Sequence, residues 1–318
     1  MITANSIITM TISILRSRKL QLLTVLLLTV FSLYACKKDE KLPTAQTSTP
    51  PTTKQFNDYW YSGKAELNSY DLKQSRYGEI RNGEVVLVFV TEPFSNSKQV
   101  KLDKPEDAGN DNVSVMKLNN VRKFTTGIYD YSILTSTFTP IDSQKYPNTL
   151  KSSTSIQEWC GHTYTQLNLK GKKYHTQQFS YFEADGDTED DIPVAMLEEE
   201  LMTRLRLNQG QLPLGEVDMI FSTIYSRFAY KKLEATKATI SKTETAITLK
   251  YNIQYVSYDR KLSIEVEKAF PYKILSWTED DGDGLITEVT LKKSINEPYW
   301  AQKKQTDEVK RKELELLH

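Results

Sequence analysis

Residues 247–267 read ITLKYNIQYVSYDRKLSIEVE. Ile247, Leu249, Tyr251, Ile253 and Tyr255 fall on one side of an extended chain, and Thr248, Lys250, Asn252 and Gln254 on the other. Beyond the polar turn Tyr258-Asp259-Arg260-Lys261, Leu262, Ile264 and Val266 oppose Ser263, Glu265 and Glu267. A period of two on both sides of a turn fits an antiparallel hairpin with one face on a core and one in water. A helix would instead repeat its apolar residues every three and four positions. Leu285, Thr287, Val289 and Leu291 carry the same period further along the chain.

Working outward, residues 84–91 (EVVLVFVT) form a continuous apolar run between Asn82-Gly83 and Pro93, the pattern of a strand buried on both faces. One central helix is expected. Asp191 can cap it, Pro193 suits its first turn, and Val194, Leu197, Leu201 and Leu205 make a stripe at helical spacing. Glu200 and Arg204 form an i,i+4 pair, and Asn208-Gln209-Gly210 ends the helix. A short C-terminal helix follows Pro298-Tyr299-Trp300, and the mostly charged residues 302–313 read as a frayed tail. Strands, then one helix, then more strands argue for α+β, mostly antiparallel β. A long twisted sheet curls or splits, so the expected shape is a large curved sheet, half-barrel or clam-like, with the helix across it. A two-sheet sandwich is the alternative.

The N-terminus supplies an address. Residues 1–35 hold no acidic side chain; Arg16, Arg18 and Lys19 precede an apolar run from Leu20 to Ala35, as in a secretory signal peptide. Leu33-Tyr34-Ala35-Cys36 resembles a bacterial lipobox, in which the cysteine sulfur takes a diacylglycerol and becomes the new N-terminus. Each buried methylene adds about 0.8 kcal/mol, so two or three acyl chains hold a domain on a membrane. Lys38-Asp39-Glu40 resembles the export signal of surface-exposed Bacteroidota lipoproteins, with the periplasmic leaflet as the alternative. The expected organisation is a signal peptide over 1–35, lipidated Cys36 and a Thr/Pro-rich tether over 36–54, and one β-rich domain over 55–318.

Lys plus Arg balance Asp plus Glu at 41 each. Loss of the three signal-peptide cations leaves 38 against 41, about −3, which gives no basic footprint for nucleic acid. Cys160 then has no partner for an intramolecular disulfide and is expected to be buried as a small hydrophobe.

Several constellations could carry chemistry. Cys160 and His162 share a strand face in the expected hairpin, with His175 on the return strand. A turn at Lys170-Gly171 pairs His175 with Gln166 and His162 with Phe179, leaving the imidazoles about 13 Å apart, too far for one ion. Glu279, Asp281 and Asp283 stand at positions one, three and five of an EF-hand-like loop, so they are calcium candidates. Position twelve is Thr290 where a glutamate is needed, and a hydrated hairpin loop is the competing reading. Glu183-Ala-Asp-Gly-Asp187 is a similar acidic loop. Ser95-Asn-Ser-Lys98 matches S-x-x-K without the accompanying K-T-G. No nucleophile elbow, zinc-protease helix, phosphate loop or paired-cysteine spacing is present, so no catalytic residue and no cofactor is assigned.

The blocks WYSGKAELNSYDLKQSRYGEIRNGEVVLVFVTEPFS (60–95), SIQEWCGHTYTQLNLKGKKY (155–174) and FPYKILSWTE (270–279) resemble a family of Bacteroidota lipoproteins whose members carry the label "septum formation inhibitor Maf". The resemblance spans most of residues 56–300 and implies an exported lipoprotein. True Maf nucleotide pyrophosphatases carry an S-x-S-P-R-R-type phosphate motif that this chain lacks, so the label transfers no catalytic residue. The expected role is a lipid-anchored outer-membrane protein, facing the cell exterior, that binds an apolar ligand, a glycan or an envelope protein. The alternatives are an envelope-polymer hydrolase working through carboxylates, with Glu158 and Glu183 first to test, and a structural partner in an envelope assembly.

Overall fold

The computed structural model describes residues 53–316, all within one compact unit, Gln46–His318. The signal peptide, Cys36 and the tether up to residue 52 lie outside the described residues. Thr53 caps the first helix, α1 (Lys54–Trp60), by accepting a hydrogen bond from Phe56 N. Its apolar residues Phe56 and Trp60 are buried.

The strands run β1 Ala65–Arg76, β2 Glu79–Ser95, β3 Asn112–Thr126, β4 Tyr129–Pro140, β5 Lys151–Glu158, β6 Gly161–Lys170, β7 Lys173–Ser180 and β8 Thr188–Pro193. After a short β9 (Met196–Leu197) come helix α2 (Leu201–Leu207), β10 (Gly215–Ile220) and helix α3 (Thr223–Ala229). The chain returns through β11 Ala235–Glu244, β12 Thr248–Tyr255, β13 Lys261–Glu267, β14 Ile274–Asp280 and β15 Ile286–Glu297, and ends in helix α4 (Val309–Glu313). Together they form one 15-stranded sheet in the order β8-β7-β6-β5-β4-β3-β2-β1-β15-β14-β13-β12-β11-β10-β9. Every ladder is antiparallel except the short β9–β10 pair. The α+β class, the curved sheet and the helix within it are as the alternation indicates; the sandwich alternative is not adopted.

The topology makes the sheet curl. The chain starts in the middle, walks out to one edge at β8 and reappears at the other edge at β9, with only Val194 and Ala195 between. Three Cα steps from Pro193 to Met196 reach at most about 11 Å, so the two edges must face each other. Ile192 of one edge and Leu197 of the other pack in the same buried cluster, with Leu167, Tyr174 and Ile220. Side-chain packing, not a hydrogen-bonded ladder, holds this seam.

Inside the curve, Leu249, Tyr251, Ile253 and Tyr255 of β12 and Leu262, Ile264 and Val266 of β13 join one core with Leu201 and Leu205 of α2 and Ile224 and Tyr225 of α3. Ile247 departs from the expected face: β12 starts one residue later, and Ile247 is exposed in the turn. Residues 84–91 are buried on both sides for two separate reasons. Val85, Leu87 and Phe89 enter the main core, whereas Val88 and Val90 meet Ile295, Tyr299, Leu314 and Leu316 on the outer face. The C-terminal segment is therefore docked and not frayed; Ser69 Oγ donates to the Leu314 carbonyl at 2.5 Å. Asn82-Gly83 does not bound the strand, because β2 continues back to Glu79. Gly83 is there for closeness: a Cβ would sit 2.1 Å from the Lys123 carbonyl oxygen of β3.

The central helix is shorter than expected. Asp191 pairs with His175 and Pro193 with Lys173 in the β7–β8 ladder, so neither residue opens the helix. Strand pairing together with burial of Ile192 wins over helix-start chemistry, and an edge strand tolerates the missing Pro193 N–H. A 3₁₀ turn at Glu198–Glu200 leads into α2, and Gly210 N bonds Leu205 O at 2.8 Å to close it, as the sequence indicates. Helix α3 had no counterpart in the sequence reading; Ser222 caps it by accepting from Ile224 N and Tyr225 N.

Candidate functional site

The sequence candidates separate in space. The hairpin turn lies at Gly171-Lys172, so His175 pairs with Asn168 rather than Gln166. The two histidines stand six strand positions apart, about 20 Å. His162 Nε2 is 2.8 Å from Ser155 Oγ, and His175 lies between Glu189 and Asp191. Cys160 is not buried. It is exposed in the β5–β6 turn, where Glu158 accepts from its backbone N–H and raises the thiol pKa by hydrogen bonding and charge. Glu183 is exposed in the β7–β8 turn, and Glu158 is half-buried at the end of β5.

The calcium candidates also diverge. Asp283 accepts from Ser75 Oγ and Leu285 N in the β14–β15 turn, while Glu279 and Asp281 turn inward. Among the described residues no group of three His, Cys, Asp or Glu side chains could hold a metal ion.

What receives Glu279 and Asp281 is a buried charge network centred on Arg260, which the sequence reading placed in a solvated turn. Arg260 is 1% exposed. It forks onto Glu198 through Nε at 2.9 Å and Nη2 at 2.5 Å, and its Nη1 pairs with Asp281. Arg122 binds Glu279 at 2.6 Å and Gln74 at 2.8 Å, and Trp277 Nε1 donates to Glu279 at 3.0 Å. Burial opposes ionisation of Glu279, but the two guanidiniums and their hydrogen bonds bring it down to about 2. Asp281 is pushed up to about 6 by burial and by the charges of Glu279 and Glu198, against Arg260. Burial pushes Glu199 up to about 7, although Thr223 N and Oγ1 both donate to its Oε1. At the heart of this network lies a cavity of about 60 Å³. Asn120 Oδ1, Thr137 Oγ1 and Glu199 Oε2 border it as buried oxygens without a protein partner. Since a water takes about 30 Å³, the space suits a couple of waters bridging those oxygens and is too small for a substrate.

The larger opening is at the seam. Along β6 the inward residues change from Leu167 to Thr165 and Thr163, and along β7 from Tyr174 to Thr176 and then Gln178. The apolar core stops there and a polar cavity of about 330 Å³ begins. One wall is Thr165, Thr176, Gln178, Thr188 and Asp190, and the other is the C-terminal end of α3 with Arg227, Tyr230, Lys231 and Lys232. Tyr230 is set in place by a left-handed backbone turn at φ 53° that ends α3. Two ion pairs cross the seam, Arg227–Asp185 at 3.3 Å and Lys232–Asp190 at 3.0 Å. Trp159, Phe179 and Tyr181 are 69%, 51% and 73% exposed and lie outside the cavity lining. Gly161 lets the Tyr181 ring lie against the sheet, since a Cβ there would fall 2.4 Å from its Cδ1.

The sequence reading missed this cavity. Its signal was present as hydroxyl and amide residues at the core-facing positions of one hairpin, but closure against α3 needs an unforeseen helix. No protein-family model, curated protein or solved structure matches this chain.

Proposed function

We propose that this protein is a non-enzymatic, lipid-anchored envelope protein that binds a hydroxyl-rich ligand, a glycan, in the seam cavity. The observation that carries the reading is the polar lining of a 330 Å³ space, within the size range of small-molecule sites. Threonine hydroxyls, the Gln178 amide and the Asp190 carboxylate offer donors and acceptors matched to sugar hydroxyls, and Tyr230 offers a ring for an apolar sugar face. An apolar ligand fits less well, because side chains of α2 and α3 fill the space between the walls. A glycan array probed with detergent-solubilised full-length protein should return a saccharide hit, and Tyr230→Ala and Gln178→Ala should each weaken that hit about tenfold. Undiminished binding by both variants would refute the site.

The address rests on the lipobox ending at Cys36. Cells fed labelled palmitate should incorporate it into the wild-type chain, and Cys36→Ser should abolish the label. A labelled serine variant would overturn the anchor.

A further inference from the structure

We propose that the seam cavity selects a saccharide bearing an anionic group, with Arg227 as the residue that recognises it; the proposal rests on the glycan reading of that cavity. The Arg227 guanidinium is clamped between two rings, 4.4 Å from the Phe182 centroid and 5.1 Å from that of Tyr230. Those ring contacts restrict how the guanidinium can turn. A fixed planar fork suits a carboxylate or phosphate far better than a hydroxyl.

Asp185 Oδ2 lies 3.3 Å from Nη1 and pairs with that arm, which is closed off from solvent, so the Nε and Nη2 side is the part of the fork left for a ligand. Asp185 is itself occupied, accepting from Ser180 Oγ at 3.2 Å. Of the charges lining the cavity, Asp185 and Asp190 face Arg227, Lys231 and Lys232, which leaves one positive charge uncompensated. Lys231 stands at the α3 terminus beside Tyr230 and is exposed. A monoanionic ligand would balance the charge of that lining, which a neutral sugar cannot do.

The test is an NMR titration of detergent-solubilised full-length protein with glucuronate, glucose and glucose 6-phosphate, following the Arg227 and Tyr230 amides. Glucuronate should bind at least tenfold tighter than glucose. Arg227→Gln should erase that preference, and Lys231→Gln, which risks no packing, should weaken the two anions severalfold. If glucose 6-phosphate alone is preferred, the recognised group is a phosphate, which still supports the proposal. Equal binding of all three sugars would overturn anion selectivity and leave the glycan reading standing. Failure of all three sugars to bind would overturn both.

Discussion

Arg260→Met is expected to lower the unfolding free energy by about 3–5 kcal/mol, because it removes the common partner of buried carboxylates and leaves their charge behind. Glu198 loses both arms of its fork, Asp281 loses its ion pair with Arg260, and the guanidinium also leaves the face of Tyr225, 4.6 Å away. Tyr255 still donates to Glu198 at 2.8 Å, so one hydrogen bond remains where a charge is needed. An exposed pair gives the contrast. Lys73 and Glu288 lie 3.0 Å apart with side chains 61% and 49% accessible, and Lys73→Met should cost less than about 1 kcal/mol. Urea unfolding measures both, read as a drop in midpoint at constant slope. Equal midpoints for the two variants would show that the Arg260 network contributes nothing special to the fold.

The second large effect is a fall in stability between pH 5 and pH 8. A carboxyl whose folded pKa exceeds its unfolded value binds more protons when folded, so stability decreases as pH rises from the unfolded value through the folded one. Glu199, raised from 4.5 to about 7, therefore loses stability across that span, and Asp281, raised from 3.8 to about 6, does so over a slightly lower one. Each shift corresponds to something on the order of 3 kcal/mol at 1.36 kcal/mol per pH unit, shared between groups that titrate together. Glu279 has the opposite sign. Its value falls from 4.5 to about 2, so its contribution is complete above pH 4.5 and is lost on acidification towards pH 2. Stability should peak near pH 4. Urea midpoints across pH 4–9 check this, and Glu199→Gln should flatten the neutral limb. Gln keeps the oxygen that Thr223 bonds and removes the proton. A midpoint independent of pH between 5 and 8 would contradict the assignment.

Both effects arise where the sequence was least informative. Arg260 sits between Asp259 and Lys261 in a polar turn, and nothing local distinguishes it from a solvated arginine. It is buried because the β12–β13 turn meets the β14–β15 turn and the 3₁₀ segment carrying Glu198, a contact across 62 residues. Glu279 and Asp281 stood out as calcium candidates because they are closely spaced carboxylates beside glycine, but their charge is met by guanidiniums from β3 and the β12–β13 turn. The helix boundary failed in the same way. Pro193 and Asp191 carry helix-start chemistry, and only the pairing of β8 with β7 reveals them as an edge strand.

The amino-acid order by itself determined the period-two faces of β12, β13 and β15, the double burial of residues 84–91 and the α+β class, and left one curved sheet and a two-sheet sandwich both open. These follow from side-chain direction along a strand, which needs no knowledge of the partner. Tertiary structure alone decided which edge meets which, what covers the outer face of β2, and where the charges and the cavity lie. The physical reason is distance along the chain. A two-residue link between Pro193 and Met196 brings the two ends of the sheet together, and the polar groups lining that seam come from segments that no local pattern joins.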